Sequence, residues 1–207
     1  MCTLSYCYSC LIVTYFIDRS KVIESIQTQH LKEGDVLVYH YCRFSDRATL
    51  TSERLLGALI AQLLNQTIGS NPIPESLDKL FTRYRSSLYP TLKELQQSFH
   101  DLCKNNSRVF VIVDGLDEII VRKGLLEFFS NAAFAYGNFR VFVASRSELD
   151  LEEKFKSFLT VAITPSDIQL DMEIYVQQSL EKLQIDSDEE TDQLGIAREL
   201  VERAQGM

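Results

Sequence analysis

Residues Arg108–Ile119 read RVFVIVDGLDEI, and this stretch organises the rest of the chain. Val109–Val113 are apolar without alternation, which suits a central strand of a parallel sheet covered on both faces. The run stops at Asp114 and Gly115, followed closely by Asp117 and Glu118. Ligands of open α/β sheets gather at the carboxyl ends of the strands, so three carboxylates fall where chemistry is expected. Two carboxylates about 6 Å apart repel by roughly 3 kcal/mol at an effective dielectric near 20. One of them takes a proton, the site opens, or a cation sits between them. A hard cation such as Mg²⁺, keeping several waters and bridging to phosphate, is one such occupant. The alternative is a buried strand followed by a solvated acidic turn.

The elements on either side fit an alternating α/β chain. On the N-terminal side, Asp18–Leu31 has helical spacing, Val36–Cys42 is β-rich, and Leu55, Leu56, Leu59, Ile60, Leu63 and Leu64 form one helical stripe capped by Thr51 or Ser52. A helix follows over residues 75–87 after the Asn71–Pro74 break, and Thr91-x-x-Glu94 is a capping box for the next one. His40 reads as a core or edge histidine. On the C-terminal side, the spacing predicts a helix over 122–136, a strand over Phe139–Ser145 followed at once by Arg146, and a third strand over residues 158–164. Arg146 can reach a phosphate bidentately, or pair with Glu148 or Asp150 at the rim. Two helices follow, with Ile174, Tyr175, Leu180 and Leu183 expected inward on the first, and Ala197, Leu200, Val201 and Ala204 on the second. Strands alternating with helices predict a parallel sheet.

Composition narrows the function. A net charge of −8 argues against a nucleic-acid surface. The acids at Asp186, Asp188, Glu189, Glu190 and Asp192 read as a solvated loop or helix start. Five cysteines, with Cys7-x-x-Cys10 unmatched by a second pair at ligand spacing, read as reduced thiols in preference to a metal site. No apolar run reaches the ~20 residues that a bilayer needs, and the opening lacks a convincing signal peptide, so the chain reads as soluble and cytoplasmic, without a membrane or nucleic-acid partner.

In this order the stretches resemble the NACHT domain of fungal STAND proteins, the group with nephrocystin-like N-terminal sequences. Ile17-Asp18-Arg19 resembles the end of the helix after the P-loop. Tyr39–Asp46 with Leu55–Leu64 resembles the family's "F-F-x-F-x-D" strand and "L-L-x-x-L-I-x-Q-L-L" helix. Phe110–Glu118 resembles the Walker B segment, and Phe139–Arg146 the sensor strand ending in "T-S-R", here Ala144-Ser145-Arg146. Asp171–Val176 and Leu200–Met207 resemble the helical region that follows. The resemblance implies an α/β, parallel-sheet P-loop NTPase-like core, truncated at its N-terminus, over residues 17–164. An atypical segment precedes it at 1–16, and a helical region begins at 165–207. It implies that Asp114 holds Mg²⁺ through water, that Asp117 and Glu118 polarise an attacking water, and that Ser145 and Arg146 touch an ATP or GTP nucleotide. It also implies a signalling switch that self-associates or works with other domains of a longer STAND protein.

One departure bears on activity. The Walker A loop, G-x-x-x-x-G-K-[ST], should precede Ile17, yet no glycine precedes Gly34 and no lysine precedes Lys21. The strand leading into that loop is expected to be missing too, which would leave two open edges inside the sheet. Leu11–Ile17 could fill the gap as a strand or begin the first helix. Losing three charge-assisted hydrogen bonds at about 1.5–3 kcal/mol each removes some 4–9 kcal/mol, which turns a micromolar site into a millimolar one or worse. The expectation is therefore an incomplete piece of a longer protein, impaired in nucleotide binding. The alternatives are a non-catalytic interaction module and a fragment without function.

Overall fold

A computed structural model describes residues 10–14, 19–45, 50–67, 69, 72–86, 88–135, 137–162 and 165–182, with residues 195 and 199. The chain divides into two compact units, Met1–Val161 and Ala162–Met207. The first carries strands β1 (Cys10–Thr14), β2 (Asp35–Tyr41), β3 (Arg108–Asp114), β4 (Phe139–Ser145) and β5 (Leu159–Ala162) in one sheet of order β2-β3-β4-β1-β5. The β2–β3, β3–β4 and β4–β1 pairs are all parallel. Its helices are α1 (Arg19–Ser25, running into a π-helical turn at Ile26–His30), α2 (Ser52–Thr67), α3 (Glu75–Arg85), α4 (Leu92–Cys103), α5 (Lys123–Ala135) and α6 (Leu149–Phe155). The second unit contains α7 (Pro165–Lys182). Among the described residues no helix is long and apolar enough to cross a membrane.

The unbroken apolar run of β3 is explained by burial on both faces. Val109, Val111 and Val113 join Val36, Val38, Val141 and Val143 on one face, against the leucine stripe of α2 and against Phe99 and Phe129. Ile112, with Leu37 from β2, packs on the other face against Ile23 of α1. Side chains alternate across a strand, so only a two-sided cover buries consecutive residues. Phe99 meets Phe128 and Phe139 edge-on at 5.8 and 6.0 Å, an arrangement that favours the ring quadrupoles.

The local signals operate as expected. Thr91 Oγ1 accepts from the Glu94 N–H while Glu94 accepts from the Thr91 N–H, the reciprocal capping box. Thr51 Oγ1 accepts from the Arg54 N–H and so caps α2, leaving the Ser52 hydroxyl to donate to the Val121 carbonyl.

The structure decides one alternative, adds one helix and corrects one expectation. The sheet has no open slot, because Cys10–Thr14 lies between β4 and β5 and pairs with β4 from Cys10↔Val141 to Thr14↔Ser145. Its β-forming residues take the place that the missing strand would have left. A helix also intervenes between β4 and β5: Leu151 and Phe155 of α6 are buried on one side of a segment too short for its period to stand out. Ile174 and Tyr175 of α7 are exposed, 46% and 71%, rather than inward. Leu183, the expected last helix, the acidic run after Ile185 and the Cys7-x-x-Cys10 side chains lie outside the described residues.

Candidate functional site

The parallel sheet places the carboxyl ends of β3 and β4 side by side, with Asp114 in register with Ala144. Asp114 is buried, and its carbonyl accepts the Cys42 N–H at 2.8 Å. Gly115 then turns the chain with φ +71°, and a β-carbon there would stand 2.9 Å from the Cys42 carbonyl oxygen. Only glycine meets both demands without strain. The turn continues as a 3₁₀ helix, Leu116–Glu118, anchored by buried Leu116, and this presents Asp117 and Glu118 toward the end of β4.

The two acids have a cationic neighbour, Arg146. Its Nε donates to Asp117 Oδ2 at 2.8 Å, its backbone N–H donates to Asp117 Oδ1 at 3.1 Å, and a terminal nitrogen bonds Glu118 Oε1. Ser145 Oγ donates to Asp117 Oδ1 at 3.0 Å. Burial opposes the charge on Asp117, but the Arg146 N–H, the Ser145 hydroxyl and the Arg146 guanidinium outweigh it and hold the carboxyl below its ordinary value. Of the three resolutions open to crowded carboxylates, the structure shows an internal cation bridging Asp117 and Glu118. Burial, with the charges of Asp114, Asp117 and Glu118 added, pushes the Cys42 thiol up to about 12, so this cysteine is a packed thiol and not a nucleophile.

The structure thus joins four of the residues singled out from sequence, Asp117, Glu118, Ser145 and Arg146, and places the fifth, Asp114, buried at the end of β3 beside them. It corrects the rim alternative for Arg146, because Glu148 and Asp150 belong to Arg122. Buried Arg122 donates to the carbonyls of Asp117 (2.7 Å) and Ile119 (3.0 Å), to both oxygens of Asp150 (2.9 and 2.8 Å), and to Glu148. This guanidinium joins the acidic turn to the first turn of α6. Sequence reading missed it, although it left a clue. A cation immediately before α5 sits at the positive end of a helix dipole, a position that calls for carboxylate partners.

The donors match a hard cation in part. Mg²⁺ is commonly held by one or two carboxylates together with phosphates and waters, and Asp114 at the end of the central strand suits that role. Among the described residues no group of three or more His, Cys, Asp or Glu side chains is arranged to hold a metal by itself. A P-loop cradle for phosphates does not fit this chain. Only Tyr15, Phe16, Ile17 and Asp18 stand between β1 and α1, without the glycines or the lysine that a Walker A loop requires. A groove of about 570 Å³ between α3 and α4, lined by Pro72, Lys79, Glu94 and Asp101 among others, shares no residue with the acids. Beside Arg146 there is a cavity of about 120 Å³, bounded by Val143, Leu151 and Phe155. It is smaller than the ~300 Å³ at which ligand pockets begin.

Comparison with known proteins bears on the fold and the family. The Walker-type ATPase PABY2304 of Pyrococcus abyssi has a similar structure, with a TM-score of 0.51 at 15% identity over 98% of this chain and 59% of that one. The chain therefore spans about three-fifths of that protein's length. A chain in the structure of Drosophila ORC bound to AT-rich DNA and Cdc6 gives a TM-score of 0.41 at 13% identity, over 76% of this chain and 48% of that one. No curated protein sequence matches. The fold is that of a P-loop NTPase core. The family described as Nephrocystin 3, N-terminal, matches residues 19–146, which span α1, the acidic turn and Arg146. The chain belongs to the nephrocystin 3 N-terminal family.

Proposed function

We propose that this chain is a NACHT/STAND-type nucleotide-binding signalling domain whose own affinity for nucleotide is weak. The observation that carries the reading is the meeting of Asp117 and Glu118, in the turn that follows Asp114 at the end of the central strand, with Ser145 and Arg146 at the end of its neighbour. In this reading Asp114 holds Mg²⁺ through water, Asp117 and Glu118 orient a water, and Arg146 senses the state of ATP or GTP. The residues linking β1 to α1 supply no glycine or lysine to the phosphates, and this supports weak binding. Signal output then depends on self-association or on other domains of a longer protein.

The test is titration of the chain with a fluorescent ATP analogue in the presence of Mg²⁺. Millimolar affinity that improves when a Walker A loop is introduced between Thr14 and Arg19 supports the proposal. Micromolar affinity for the chain as it stands overturns the predicted weakness. Absence of binding even with the loop restored overturns the nucleotide reading, leaving a non-catalytic interaction module. That second reading is favoured by the same loop chemistry, together with the engagement of both Asp117 and Glu118 by Arg146.

A further inference from the structure

Helix α3 buries Leu77 and Leu80 in the core and is tied to α4 by polar contacts, Ser76 Oγ donating to Asp101 at 2.8 Å and Arg83 pairing with Glu94. Lys79 pairs with Glu75 along the helix at 2.8 Å. The two remaining ionic side chains of α3, Asp78 and Arg85, are exposed, and neither has a side-chain partner among the described residues. They stand two turns apart with Phe81 between them, so all three share one face of the helix. Phe81 is 53% exposed, and Tyr84 and Leu88, at 68% and 54%, border it. Leu88 is fixed there, because its N–H donates to the Arg83 carbonyl at 3.2 Å. Exposed aromatics beside an arginine are the composition of an interface core.

We infer that this face of α3 docks a second copy of the chain, antiparallel and about a two-fold axis. The argument is charge complementarity. Along the helix the face runs acid, phenylalanine, base; along a reversed copy it runs base, phenylalanine, acid. A two-fold axis beside Phe81 therefore sets Asp78 of each copy against Arg85 of the other, with the two Phe81 rings packed at the centre. Such an interface is isologous, so both ion pairs form together. A parallel pairing sets like charges opposite one another and is excluded on that ground. At a net charge of −8 two copies repel at long range, so association needs opposite charges placed locally. One helix face falls short of the ~1,200 Å² at which standard interfaces begin, and the dimer is accordingly weak and concentration-dependent. The inference deepens the self-association in the proposed function and rests on that part of the reading alone.

The experiment is sedimentation equilibrium of the full chain over a range of concentrations, without nucleotide. The parent should show a reversible monomer–dimer equilibrium. Asp78→Arg and Arg85→Asp should each weaken it roughly tenfold, because either change replaces two ion pairs by two like-charge pairs. An equimolar mixture of the two variants should associate again as a heterodimer, and so should a chain that carries both changes. Phe81→Ser should abolish the dimer. If a charge reversal does not fold, Asp78→Asn is held to a loss of roughly threefold. A parent that dimerises while its folded variants keep the parent's affinity overturns the α3 surface and leaves self-association standing. A parent that stays monomeric throughout overturns both. Single variants that weaken the dimer but do not restore it when mixed overturn the antiparallel pairing of Asp78 with Arg85. The nucleotide titration is read separately, so a chain that dimerises through α3 and never binds ATP upholds this inference and overturns only the nucleotide reading.

Discussion

Replacing Gln62 and Gln66 by alanine should open one edge of the sheet. β2 ends the strand order, so among the described residues the backbone groups it turns away from β3 have no strand to pair with. Two glutamines one helical turn apart on α2 take that place. Gln66 accepts the Leu37 N–H at 3.1 Å and donates to the Leu37 carbonyl at 2.7 Å, and Gln62 treats Tyr39 in the same way at 3.0 and 2.7 Å. Each amide thus imitates one residue of a missing strand, and such an edge is otherwise a template for association. Four neutral hydrogen bonds at a net ~0.5–1.5 kcal/mol each sum to about 2–6 kcal/mol. Water can reach part of this half-buried edge, and alanine favours the helix by a few tenths of a kcal/mol, so the double variant should lose about 2–3 kcal/mol. Each single variant should lose about half of that. Urea denaturation measures the loss, and gel filtration over a range of concentrations measures association of the exposed edge. Gln62→Glu should be worse than Gln62→Ala at neutral pH, because one carboxylate oxygen would face the Tyr39 carbonyl. A double variant that loses less than about 0.5 kcal/mol and stays at the parent's elution volume refutes the edge-sealing argument.

Two further predictions follow from named contacts. Arg122→Ala should destabilise the chain by about 2–5 kcal/mol, since the Asp117 and Ile119 carbonyls each lose a buried donor worth ~1–3 kcal/mol, while the half-exposed Glu148 and Asp150 return to water; Arg122→Lys should recover part, as read by chemical denaturation. Asp101 accepts from Ser76, Gln97 and Lys104; although burial alone would raise it, these bonds hold its carboxyl down to about 2. A depressed carboxyl stabilises the fold above its unfolded pKa, near 3.9, and that support fades as pH falls from about 4 toward 2, by up to ~2 kcal/mol. Asp101→Asn should flatten the acid limb of a stability-against-pH profile, and an unchanged slope would remove Asp101 as its source.

What the sequence determined by itself is what lies within a few residues. The β3 run, the strand Phe139–Ser145, the α2 stripe and the Thr91–Glu94 capping box depend on period and on contacts three or four positions apart, and the Asp114-Gly115 break marked the site. The family order of these segments carried the fold further than periodicity could. Only the tertiary structure decided what meets across the sheet. Leu11–Ile17 could have been strand or helix on its own composition, and the parallel pairing of Cys10–Thr14 with β4 decided it. Arg146 had two carboxylate claims on it from sequence, Glu148 and Asp150, and a phosphate besides. The register of β3 with β4 places it on Asp117 and Glu118, leaving Glu148 and Asp150 to Arg122. The pairing of Gln66 with Leu37, 29 positions away, has no local signature at all. A charge or an amide can satisfy many partners equally well, and only the topology that brings distant strand ends and helix faces together selects among them.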